Sequence, residues 1–342
     1  MMIDKIEWLH FEVKYNLRKY YTTFITRLNK NDSKKIKSRI NIVYAKKEIQ
    51  TIEQTNNYIY NKIIKGEPFW VGRLGGNEMN AIAYYNRHRL FPIRTDARKD
   101  IVHDLCLGAG FFPQEVEECN KFVSMMMDIS WDIDLIGIWN LYMEEWFIYK
   151  YIKKDIAITK LTYLEPWKVY EEKKHKGLEI IPWSSALEGK KVLVIHPFAE
   201  SILRQYNNNR EKIFESIGIK GILPKFELIV LKAVQTAGGE KSHFSNWFAA
   251  LNYMINKCKE IDFDIAIVGC GAYGFPLSAE IKKMGKGVIH LGGSTQLMFG
   301  IIGKRWEDYN ETCSAMINEH WVRPSKKETI KNNKMIEGGC YW

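Results

Sequence analysis

The stretch "DFDIAIVGCGAYGFPLSAEIKKMGKGVIHLGG", Asp262 to Gly293, decides the fold. Its apolar run Ile265–Val268 reads as a buried strand. Gly269, Gly271 and Gly274 follow with G-x-G-x-x-G spacing, Pro276 to Met284 is patterned as a helix, and "GVIHLGG" is a second strand. A strand, a glycine turn, a helix and a strand in this order form a unit of parallel sheet.

The same spacing raises the question of a dinucleotide. Glycines let a phosphate approach the backbone, and the helix start favours negative charge. A nicotinamide site also calls for Asp or Glu at the end of the next strand, about 20 residues on, to hold a ribose. Here that position is His290–Leu291, with neither the carboxylate nor the Arg of an NADP variant. An NAD(P)-dependent oxidoreductase is therefore the weaker reading, and no NAD is expected. The turn remains compatible with a nucleotide-sugar diphosphate, or with a tight strand–helix turn that holds no ligand.

Working outward, strand and helix patterns alternate through the second half. "KKVLVIHPF" is a strand, "ESILRQYNNNREKIFESI" a helix, "FELIVLKAVQTAGG" a strand and loop, and "SNWFAALNYMINKCKEI" a helix. Upstream, in "EPFWVGRLGGNEMNAIAYYNRHRL", Phe69 to Gly72 is a short strand, Arg73 to Asn77 a glycine turn, and Glu78 begins a helix. Residues 98–160 read as mostly helical. The class is α/β: a Rossmann-like parallel sheet with helices on both faces, preceded by an N-terminal amphipathic helix. In that helix Ile3, Ile6, Leu9, Val13, Leu17, Tyr20, Phe24 and Leu28 form a stripe at helical spacing. The stripe is expected to pack on its own domain; a membrane surface or a partner helix is the alternative. "NKNDSKKIKSR", 29–39, reads as a linker. The organisation is then 1–40 for helix and linker and 41–342 for the α/β domain. A seam at Pro182–Lys191 divides the domain into subregions 41–185 and 186–342. The aromatic end of "EGGCYW" suggests a docked tail.

Composition bounds the function. Apolar residues make up 46% and charged residues 26%, which suits a globular chain. The net charge of +10 suits an anionic partner. Six cysteines contain no C-x-x-C pair, so no zinc or disulfide framework is expected. A charged start and the lack of a long apolar run point to a cytoplasmic protein. No basic–aromatic interleaving marks a nucleic-acid module.

Ligands of such sheets bind beyond the carboxyl ends of the strands. The polar and glycine positions there are Arg73, Gly75, Gly76, Asn77 and Glu78; His196; Gln235; Gly269, Gly271, Tyr273 and Gly274; and His290 and Ser294. Arg73 offers a permanently charged fork for phosphate oxygens. Glu78 is a candidate metal ligand or general base, or simply a carboxylate at a positive helix end. His196 is a second candidate base, or a structural histidine. Glu165 is a turn residue or a site carboxylate.

These segments resemble a known family. "PFWVGRLGGNEMNAI" is similar to the R-F/Y-G-D-G-E segment of the GT-D-fold glycosyltransferases, and "IVGCGAYGFPLSAEIKKMGKGVIHLGG" to their C-terminal glycine-rich unit. "PWSSALEGKKVLVIHPFAESI", "LKAVQTAGG", "HLGGSTQLMFGIIGKRW" and the tail resemble a branch found with bacterial capsule and exopolysaccharide genes. The resemblance covers roughly residues 65–342. It implies sugar transfer from a nucleotide-sugar, typically UDP-linked, to a saccharide or lipid-linked saccharide acceptor, with peripheral contact at the inner face of a membrane compatible with it. It also implies a divalent metal, Mn or Mg, held by the motif's Asp and Glu. The Glu falls on Glu78 and the Arg on Arg73, but the Asp falls on Gly76, which weakens any metal site. A non-catalytic nucleotide-sugar-binding protein is the alternative that this departure favours.

Overall fold

The computed structural model describes residues 2–28, 43–92, 97–307 and 311–342. The linker at 29–39 and the side chains of Phe24 and Leu28 lie outside the described residues. Nine strands form one sheet: β1 Val43–Tyr44, β2 Lys47–Gln50, β3 Phe69–Arg73, β4 Leu135–Ile138, β5 Ala157–Lys160, β6 Lys191–His196, β7 Glu227–Lys232, β8 Ile265–Val268 and β9 Gly287–His290. Their order is β1-β2-β5-β4-β3-β9-β8-β6-β7. Among the described residues only the β1–β2 pairing is antiparallel.

The helices are α1 Met2–Leu28, α2 Ile52–Lys65, α3 Gly76–Leu90, α4 Ala97–Ala109, α5 Val116–Ile129, α6 Glu144–Tyr151, α7 Val169–Lys176, α8 Ala199–Asn209, α9 Trp247–Glu260, α10 Gly274–Lys283, α11 Ser294–Met298 and α12 Glu311–Met316. They cover both faces because successive strand residues point to opposite sides and both sides are apolar. Trp70, Leu193, Ile195, Ala266, Val268 and Val288 enter one core, packed by α3, α5 and α9 among others. Phe69, Val71, Val192, Val194, Ile265 and Ile289 enter the other, with α2, α8 and the segment after β9. The α/β expectation with a parallel sheet and helices on both faces therefore holds. The seam at Pro182–Lys191 falls between β5 and β6, and the sheet runs across it through the β3–β9 pairing.

One expectation is incomplete and one is corrected. Residues 98–160 contain not only helices but β4 and β5. Each is four residues long, too short for periodicity to separate it from the helical runs around it. The second concerns α1. Its sequence stripe does not pack on the domain: Ile3 is 72% and Leu17 64% exposed. The helix docks by its other side, with Trp8 and Phe11 buried. Trp8 meets Trp146 of α6 edge-on, with ring centroids 4.7 Å apart.

The sheet positions a crevice. After β3 and β8 the chain turns into α3 and α10 on one face, while after β6 and β9 it turns to the opposite face. Connections that diverge from neighbouring parallel strands leave a cleft at the carboxyl edge.

Candidate functional site

The cleft at that edge encloses about 1050 Å³, including the part open to solvent. Of the sequence-predicted residues, Arg73, Gly75, Gly76, Asn77, Glu78, His196, Gln235, Gly269, Gly271, Tyr273 and His290 line it. Gly274 and Ser294 are not among its lining. The Ser294 hydroxyl donates to Glu165 Oε1 at 2.8 Å, away from the cleft, where burial pushes the Glu165 carboxyl up to about 7.

The glycines have packing reasons of their own. A Cβ at Gly269 would lie 2.4 Å from the Gly292 carbonyl oxygen, and one at Gly274 2.2 Å from His290 Nε2. Gly271 has φ +57° and would bring a Cβ within 2.8 Å of the Ala109 carbonyl oxygen. The G-x-G-x-x-G spacing is thus required by close approach of neighbouring segments before any ligand is considered.

Arg73 ends β3 and reaches across the cleft. Its guanidinium lies against Gly292, where a Cβ would stand 3.3 Å from Arg73 Cζ, and 5.1 Å from the centroid of the Trp139 ring. The Nε is buried without a hydrogen-bond partner, and among the described residues no carboxylate lies within ion-pair distance. The N-terminus of α3 lines the same cleft, as does the Gly269–Tyr273 turn that leads into α10. A permanent cation, a helix N-terminus and a glycine turn in one cleft favour an anion.

Glu78 is buried in the first turn of α3. Its carboxylate folds back over Gly75, where a Cβ would lie 1.9 Å from Oε2. Gly75 is the helix cap and has no side chain, so this carboxylate occupies the space a capping side chain would use. Burial raises its proton affinity, while Arg73 and its own backbone N–H oppose that rise.

The two histidines differ. Phe198 N–H donates to His196 Nδ1 at 3.0 Å. That fixes the proton on Nε2, so His196 presents a donor to the cleft rather than the base expected from sequence. Burial lowers it to about 3. His290 is likewise lowered to about 3, by burial and by the Arg73 cation, against the Arg73 backbone, which favours its protonation.

Several lining residues were not singled out from sequence. Trp139 stands at the end of β4, a strand hidden in an apolar run; its Nε1 donates to the Leu74 carbonyl at 3.1 Å. Gly110 brings the α4 terminus against Thr236, whose hydroxyl donates to the Gly110 carbonyl at 2.5 Å. Arg305, Tyr341 and Trp342 come from the C-terminal segment. Arg305 pairs with Glu337, and Gln296 Nε2 donates to the Tyr341 carbonyl at 3.1 Å. Lys304 N–H donates to the Trp342 carbonyl at 3.1 Å. The docked tail expected from "EGGCYW" is therefore one wall of the cleft.

Around Glu78 the donor set is narrow. The other carboxylate on the lining, Glu337, is held by Arg305. The cluster of three metal-type ligands found among the described residues, Glu215, Glu319 and His320, has none of its members in the cleft.

No protein-family model and no curated protein matches the sequence. Two solved structures are similar. One, described as "The highly conserved domain of unknown function 1792 has a distinct glycosyltransferase fold", is 10% identical with TM-score 0.41, covering 83% of this chain and 93% of that one. The other, a selenomethionine form of domain of unknown function 1792, is 11% identical with TM-score 0.34, covering 79% and 96%. Among the described residues no helix is long and apolar enough to cross a membrane.

Proposed function

We propose that the chain is a glycosyltransferase that binds a nucleotide-sugar by its diphosphate, with UDP as the nucleotide, and passes the sugar to a saccharide acceptor. The observation that carries this reading is Arg73: a guanidinium with a buried, unpaired Nε, set between Gly292 and Trp139 in a cleft that also holds the α3 N-terminus at the carboxyl rim of a parallel sheet. As the bond from the sugar to the diphosphate breaks, negative charge grows on the leaving oxygens, where Arg73 and the backbone of the glycine turns offset it. Glu78, its proton affinity raised by burial, takes the acceptor's hydroxyl proton in a transfer with inversion. The exposed face of Trp139 suits a sugar ring. A role in bacterial cell-surface polysaccharide assembly is supported by the sequence resemblance alone.

A resident Mn or Mg ion does not fit this donor set. One carboxylate, folded on a helix end beside a permanent cation, offers too few hard oxygen ligands. Position 76 does have room for the missing aspartate, because a Cβ there meets only Leu141 Cδ2 at 3.9 Å.

The test is thermal stabilisation by UDP-sugars, followed by UDP release. We expect stabilisation without added metal, loss of it in Arg73→Ala, and retained binding without UDP release in Glu78→Gln. Gly76→Asp is expected to make binding respond to Mn. Arg73→Ala binding UDP-sugars as well as the parent chain would overturn the donor assignment. Unchanged turnover in Glu78→Gln would overturn the base. A parent chain that binds donors but never releases UDP would be the non-catalytic binder that the Gly76 departure favours.

A further inference from the structure

We propose that the outward face of α1 docks on an anionic lipid surface. A helix that merely completed its own domain would bury its apolar stripe and turn its charges to water. α1 does the reverse. Ile3, Ile6, Leu9, Val13, Leu17 and Tyr20, 48–76% exposed, run along its outer side. The stripe is about 26 Å long, at 1.5 Å per residue. Every carboxylate of the helix is used on the domain side. Asp4 and Glu7 each accept from Lys150 Nζ at 3.0 Å, and Glu12 accepts from the Tyr142 hydroxyl. On the same side Lys14 and Arg18 pair with the buried Glu145 at 2.5 and 2.6 Å. Among the described residues, the basic side chains of the helix left exposed beside the stripe are His10 and Lys19.

That charge arrangement selects the occupant. A seam between two copies of a helix is normally bordered by opposite charges that set its pairing. Here the acids are consumed within the protomer, so a second copy would bring basic groups against basic groups. An anionic lipid surface complements them. The chain as a whole carries a net charge of +10. Apolar insertion combined with basic residues is the pair of signals that holds a helix in a lipid interface.

The docked helix also lies beside the cleft. Tyr142, which donates to Glu12, belongs to the same loop as Trp139, whose ring covers Arg73. Docking would hold the cleft rim near lipid, as a lipid-carried acceptor requires. That consequence rests on the proposed function; the docking itself does not.

The test is flotation of the full chain with vesicles of phosphatidylcholine alone and of phosphatidylcholine with phosphatidylglycerol. We expect flotation with the anionic vesicles, release by added salt, and binding weakened by about tenfold or more in the Ile6→Asp/Leu17→Asp variant. Because both side chains are exposed, that variant should keep the parent melting temperature and UDP-sugar stabilisation. No flotation, equal binding to neutral vesicles, or an unaffected double variant would overturn the proposal. So would a solution dimer that the same variant dissociates and that does not bind vesicles. UDP-sugar stabilisation of the same sample tells a failed docking from a failed donor assignment.

Discussion

Replacing Glu144 by Gln tests how the cleft wall is held. Glu144 opens α6 at 1% exposure. It accepts from Tyr44 Oη at 3.0 Å, Leu141 N at 3.2 Å and Trp139 N at 3.3 Å. It therefore shapes the loop that lays Trp139 over Arg73. Burial pushes its carboxyl from 4.5 up to about 7, against those hydrogen bonds. A folded-state value above the unfolded one means the native protein holds the proton more tightly. Stability is then greatest at low pH and falls as pH rises from 4.5 through about 7. At about 1.4 kcal/mol per pH unit, the loss between pH 5 and pH 8 comes to about 2–3 kcal/mol. Gln cannot ionise, but its amide N–H groups face donors, which costs about 1–3 kcal/mol at every pH. Urea denaturation at pH 5 and pH 8 should show Glu144→Gln clearly destabilised at pH 5. At pH 8 its deficit should shrink by about 2–3 kcal/mol, in line with the burial cost it escapes. A deficit that is the same at both pH values would refute the reasoning.

Two further outcomes follow from the geometry. Gly271→Ala should cost more than Gly189→Ala: both positions have positive φ, worth about 1–2 kcal/mol for alanine, but only the Gly271 Cβ meets a carbonyl, that of Ala109 at 2.8 Å, and position 189 is open. Equal losses on chemical denaturation would refute the close-approach account of the glycine spacing. His196→Gln should flatten the acid limb. The folded ring, at about 3 against 6.5 unfolded, makes the native state lose stability as pH falls below 6.5. Between pH 8 and pH 4.5 the variant should gain about 2–3 kcal/mol relative to the parent chain. A constant difference would mean that His196 is not buried as a neutral ring.

The five strands legible from sequence, β3, β6, β7, β8 and β9, prove to be contiguous in the sheet, ordered β3-β9-β8-β6-β7. That is why their loop residues converge on one cleft. The strands that escaped are the other wing. β4, "LIGI", sits in a longer apolar run that includes "WFI" of α6, and β2, "KEIQ", next to the edge, carries polar residues where alternation would be sought. Missing β4 meant missing Trp139. His196 was found as a lining residue, but its tautomer depends on the Phe198 N–H, a turn detail that residue type does not reveal.

Local chemistry alone settled the βαβ unit at 262–293, the two-faced parallel sheet and Arg73 at a strand end, because strand periodicity, glycine turns and helix starts act over a few residues. The cleft's far wall was decided only in three dimensions. Tyr341 reaches Gln296 and Trp342 reaches Lys304 across tens of residues of chain, and Arg305 is turned by Glu337. The direction of α1 was decided there too. Its stripe and its charges are plain in the sequence, but which side meets the protein depended on Trp146 and Glu145 waiting on α6. Those partners lie more than a hundred residues away, beyond the reach of any periodicity.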